Sequence, residues 1–141
     1  MPGTVAIRRV PRDINKVREA ELVITFTCVS DSSAGTLPDT TLQGLGEFNL
    51  VYIQPVPGAT PATGTFSVII DDADGAEIFD SDEFEVGDTR PVSGESGSPT
   101  GNKPSLTDEM TLKVANPINH QAQANIGNSK QLVIIMGLKK K

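Results

Sequence analysis

Eight acids crowd one short stretch of the chain: Asp71, Asp72, Asp74, Glu77, Asp80, Asp82, Glu83 and Glu85. Carboxylates and backbone carbonyls around a tight turn are the donor set of a calcium site. The EF-hand loop pattern D-x-[DN]-x-[DN]-G is met by Asp72, Asp74 and Gly75, but its first position is Ile70 and its twelfth is Ser81. The stretch is therefore not an EF-hand. A looser surface calcium site would draw on Asp72, Asp74 and Glu77. The competing reading is a polar hairpin turn whose charges face water and discourage unwanted edge pairing, and it is preferred.

Paired carboxylates also hydrolyse glycosides. That reaction wants a sugar cleft lined with aromatics, and this chain has no Trp and a single Tyr, Tyr52. A nucleophilic cysteine wants a base. Cys28 is the only cysteine and His120, in a loop flanked by Pro and Asn, the only histidine. Cys28 alternates in phase with Leu22, Ile24 and Phe26, which reads as a small buried apolar residue. No G-x-S-x-G, H-E-x-x-H or phosphate-cradling loop occurs. The expectation is a protein that is not an enzyme, with no catalytic residues and no cofactor.

The elements that would position these residues are strands. Gly and Pro number 13 and 10 in 141 residues, and most fall between apolar runs. Such punctuation suits many short strands rather than long helices. Residues 21–29 (ELVITFTCV) alternate with apolar or β-branched residues on both faces, as a sandwiched strand does. Residues 47–54 (EFNLVYIQ) form a second strand, which Pro55 is expected to stop. Residues 64–79 (GTFSVIIDDADGAEIF) read as a β-hairpin turning at Gly75, with Phe66, Val68 and Ile70 on the buried face. Residues 110–115 and 130–138 are further strands, the last apolar on both faces and so central. Residues 36–46 form a loop or a poor edge strand, residues 83–86 a short strand, and residues 116–128 a polar loop. The fold class this implies is all-β, an antiparallel β-sandwich or jelly-roll-like barrel with an N-terminal extended arm.

Charge divides the chain. Net charge is −6, but residues 1–18 hold Arg8, Arg9, Arg12, Lys16 and Arg18 against Asp13 alone, and residues 139–141 are three lysines. Between them stand 17 acids and only Arg90, Lys103, Lys113 and Lys130. The domain reading is a basic N-terminal arm over 1–18, a sandwich over 19–138 with a long flexible loop over 87–108, and a basic tail over 139–141. Arg8, Arg9, Arg12, Lys16 and Arg18 are the candidate partner-binding residues, aimed at an acidic neighbour such as another copy of the chain. The alternative is a pair of solvated tails. Nucleic acid is not expected as a partner, because an acidic body repels phosphates. A membrane partner is not expected either: no run reaches the roughly 20 apolar residues a membrane helix needs. The N-terminal segment lacks the apolar core of a secretory signal, so folding in a cytoplasm is expected.

One segment resembles a known pattern. Residues 47–79 run from a strand ending in Tyr52-Ile53 through Pro57-Gly58-Ala59-Thr60-Pro61 to Phe66-Ser67-Val68-Ile69-Ile70 and then Asp72-Ala73-Asp74-Gly75-Ala76-Glu77-Ile78-Phe79. This is similar to small β-rich structural proteins of tailed bacteriophages, with their "PG-x-x-x-P-T" loop and "D-x-D-G-x-D-I" hairpin. Met110–Val114 and Val133–Met136 take the places of that pattern's later strands. Ala62 separates Pro61 from Thr63, and Glu77 stands where aspartate is usual. The likeness covers residues 44–138 and leaves out the basic arm. It implies a non-enzymatic virion protein, foremost a capsid decoration or cement protein on the capsid exterior. Its partners would be the major capsid protein and copies of itself, as a homotrimer. The alternative within the resemblance is a tail or head–tail structural module, or a receptor- or sugar-binding one.

Overall fold

The computed structural model describes residues 2–11, 22–85, 92–93, 105–119 and 122–140. Among these residues there is no helix and there are nine strands: β1 (Thr4–Pro11), β2 (Leu22–Val29), β3 (Thr40–Leu42), β4 (Phe48–Pro57), β5 (Thr65–Asp71), β6 (Glu77–Glu85), β7 (Val92–Ser93), β8 (Met110–Ala115) and β9 (Gln131–Lys140). They form two antiparallel sheets, one ordered β1-β2-β9-β4-β7 and the other β3-β8-β5-β6. The sheets face each other and do not close into a barrel.

The pairings are nested. β5 pairs with β6, β4 with β7, β3 with β8 and β2 with β9. The chain from β2 to β9 is thus one long hairpin, rolled so that successive strand pairs alternate between two sheets. That winding is a double-sheet jelly roll, with β1 as an extra edge strand. The turn at the tip of the long hairpin is Asp72–Ala76.

Alternation decides which side chains face the interior. Ile24, Phe26 and Cys28 of β2, Ile134, Met136 and Leu138 of β9, and Leu50 and Ile53 of β4 are buried from one sheet. Phe66, Val68 and Ile70 of β5 and Met110, Leu112 and Val114 of β8 meet them from the other. A large apolar side chain taken fully out of water contributes about 1.5–3 kcal/mol, so this layer supplies most of the driving force. The placement of β9 in the middle of its sheet, and of residues 36–46 partly as the edge strand β3, agrees with the sequence pattern.

Several expectations need correction. Within the expected basic arm over 1–18, Thr4–Pro11 is a strand that pairs with β2 through eight successive residues, and Val5 packs on the core; residues 12–18 lie outside the described residues. The basic tail is strand as well, since Lys139 and Lys140 pair with Asn49 and Phe48. Pro55 does not stop β4, which continues to Pro57 beside β9. Both prolines lie beyond Tyr52 and Ile53, the two residues that pair with β7 among the described residues, and a proline is tolerated in a strand where no neighbour needs its N–H. β5 is buried on both faces, because Ser67, Ile69 and Asp71 are buried along with Phe66, Val68 and Ile70. Most of the expected loop over 87–108 lies outside the described residues, but Val92 and Ser93 pair with β4 and Leu106 is a core residue.

Candidate functional site

The acids of the hairpin tip are held by local geometry. Asp72 donates its N–H to the Ala76 carbonyl (2.8 Å), and Gly75 donates to the Asp72 carbonyl (3.1 Å). The Asp72 carboxylate accepts the N–H groups of Asp74 and Ala76 through Oδ1, both at 2.9 Å. This is an Asx turn, in which an aspartate substitutes for a backbone acceptor. Gly75 has φ +84°, a conformation that glycine adopts without penalty, and no atom lies near the place a Cβ would take. Its role is therefore conformational rather than spatial. Among the described residues no group of three or more His, Cys, Asp or Glu is arranged to hold a metal ion. Asp72, Asp74 and Glu77 do share the tip, but the Asp72 carboxylate is turned toward backbone amides.

Other charged groups serve the scaffold too. Asp71 is buried in β5 and forms an ion pair with Lys113 of β8 at 2.9 Å. The hydrogen bond to Asp71 raises the Lys113 pKa. Asp31 accepts the N–H groups of Ser33 (2.7 Å) and Ala34 (2.8 Å) and the Ser33 hydroxyl (2.9 Å) at one oxygen. Those bonds, the Ala34 amide first, pull its pKa down to about 2. Cys28 lies against the core, and burial pushes its thiol up to about 12. Burial of this kind disfavours the thiolate, the form of cysteine that attacks. His120 lies outside the described residues.

The basic residues behave differently. Arg8 and Arg9 lie on β1 and are exposed; Arg12, Lys16 and Arg18 lie outside the described residues. Arg9 Nη2 donates to the Gln43 carbonyl at 3.0 Å, tying β1 to the loop after β3. The strand register then brings the Pro11 end of β1 and the Lys139-Lys140 end of β9 to one pole of the sandwich. Pro11 pairs with Leu22, Leu22 with Leu138, and Phe48 with Lys140. The end of β1 and Lys139-Lys140 therefore sit at the same end of the five-stranded sheet.

The four-stranded sheet places acids at that pole. Asp71 pairs with Thr111 and Leu42 with Met110, and Leu45 donates its N–H to the Asp108 carbonyl at 3.2 Å. Asp72, Asp74, Glu77, Asp108 and Glu109 are thereby gathered opposite the bases. One pole thus carries positive charge on one sheet and negative charge on the other, a surface suited to binding through charge complementarity. This arrangement was not readable from the sequence. Its only signal there was the segregation of charge along the chain, which says nothing about which ends meet.

The search of family models, of curated proteins and of solved structures finds no match to this chain.

Proposed function

We propose that the chain is a non-enzymatic structural protein of a tailed-phage virion, a decoration or cement protein that binds the major capsid protein on the capsid exterior. The observation that carries this reading is the jelly-roll winding, an architecture that viral capsid domains use repeatedly. It joins the resemblance of residues 44–138 to small virion proteins. A fold hosts many functions, so the residues must agree with it. They do: the acids with described contacts brace turns and sheets, and the exposed charge lies on an edge strand and one pole. Such a molecule acts through its surface. Copies of the chain, as a homotrimer, would bridge capsomers and add contacts that resist internal pressure.

Lectin domains also use jelly rolls, which keeps a sugar-binding tail module as a second reading. The scarcity of aromatics argues against it.

The test is location. Gradient-purified particles are analysed by mass spectrometry and labelled with an antibody for electron microscopy. Label on the head surface is expected. Label confined to the tail favours the second reading, and absence from particles overturns both.

A further inference from the structure

Among the described residues the end strands are β1 and β7 in the five-stranded sheet and β3 and β6 in the four-stranded one. β3 and β7 are only three and two residues long, so β1 and β6 are the two long edges. They lie on opposite flanks of the sandwich. The Arg9–Gln43 hydrogen bond sets β1 beside β3, and β6 is at the far end of the sheet that β3 begins.

The two edges carry opposite charge. β1 (TVAIRRVP) holds Arg8 and Arg9 and no acid. β6 (EIFDSDEFE) holds Glu77, Asp80, Asp82, Glu83 and Glu85 and no base. Ile7, immediately before Arg8 in β1, is one of two large apolar side chains left exposed among the described residues, the other being Ile118.

We infer that β1 of one copy of this chain adds to β6 of a second copy, joining the four-stranded sheet of one molecule to the five-stranded sheet of the next. An edge strand offers a row of N–H and C=O groups to any strand that can approach. Charge selects which one approaches. Two β1 edges repel each other, as do two β6 edges, whereas β1 and β6 attract. The same charges therefore exclude the two isologous contacts and favour the heterologous one. Repeated, that contact closes a ring or extends a series. It would form in the purified chain whether or not the chain belongs to a particle, so capsid binding and self-association succeed or fail separately.

The experiment is sedimentation velocity of the purified full chain over a range of concentration, at low and high salt. Wild-type protein is expected to form species larger than the 14.9 kDa monomer at low salt and to revert toward it at high salt. Arg8→Glu with Arg9→Glu is expected to weaken association by at least about tenfold, because like charge then faces like. Glu83→Lys with Glu85→Lys, which removes most of the negative charge of β6, should weaken association as well. An equimolar mixture of the two variants should associate again, since each then offers the edge the other lacks. Circular dichroism checks that each variant is folded. Should a reversal unfold the chain, the neutral pair Arg8→Gln and Glu83→Gln takes its place, with weaker and less salt-sensitive association expected. A wild-type chain that stays monomeric at the highest concentration, or variants that associate as wild type does, overturns the contact. So does a mixture that fails to recover it.

Discussion

The tip of the β5–β6 hairpin and the edge strand β1 are both short, exposed and densely charged, yet the molecule uses their charge in opposite ways. At the tip, Asp72 closes two hydrogen bonds with its own turn, and Asp71 just before it is paired with Lys113. The charge there organises backbone. In β1 the strand is held by its ladder to β2 and by Val5 on the core. Arg8 takes part in that ladder opposite Thr25 with its side chain exposed, and Arg9 adds a hydrogen bond to Gln43. A charged residue in a tight turn has backbone donors within reach of its own side chain, whereas on an extended edge strand the nearest groups belong to something outside. Charge density alone thus does not distinguish scaffold from interface.

The comparison breaks most visibly if β1 is removable. Deleting residues 1–11 strips β2 of its neighbour and is expected to cost more than about 3 kcal/mol, read as a lower denaturant midpoint. An unchanged midpoint would make β1 a detachable arm. At the tip, Gly75→Val is expected to cost about 1–2 kcal/mol, because φ is +84° even though nothing crowds the site. Asp72→Ala should lose about 1 kcal/mol in the same assay, while Asp72→Asn, which keeps an acceptor, should lose less. If Asn proves as costly as Ala, the hydrogen bonds are not what Asp72 supplies.

Acid titration sharpens the contrast with a second turn. The Asp31 pKa lies below its ordinary value, so its contribution to stability is present above about pH 4 and fades as pH falls toward about 2. Asp31→Ala should flatten that part of the stability–pH curve and leave the neutral-to-alkaline part parallel to wild type. The smallest effect belongs to the edge: Arg8→Ala should change the unfolding free energy by less than about 0.5 kcal/mol, while altering association. A large stability loss there would mean that Arg8 is scaffold after all.

Much of this fold is legible residue by residue. The two-residue alternation of Ile24, Phe26 and Cys28, or of Met110, Leu112 and Val114, is a local property that any strand with one dry face must show. The turn at Asp72–Ala76 is equally local, because its bonds span only a few residues. The same locality explains the misreadings. Pro55 is a strand breaker only where a neighbour needs its N–H, and its neighbours in the sheet are set by residues far away in the chain, such as Ile134. Residues 116–128 read as a polar loop, yet Ala124 and Ile126 are buried, with the Ile126 N–H bound to the Gly35 carbonyl at 2.8 Å. Two apolar residues among amides give no periodic signal, and their burial comes from the loop around Gly35, far away in the chain.

By itself, then, the sequence determined the class of elements, the central turn and the segregation of charge, since each follows from steric and hydrophobic preferences that act over a few residues. Tertiary structure decided that this turn is the tip of a rolled hairpin, that Thr4–Pro11 and Lys139-Lys140 are strand, and that the end of β1 and the end of β9 share one pole. Those outcomes rest on pairing between residues as distant as Leu22 and Leu138. Such pairings form because two half-buried faces must cover each other and every ladder needs a partner, a demand that only the whole chain can satisfy.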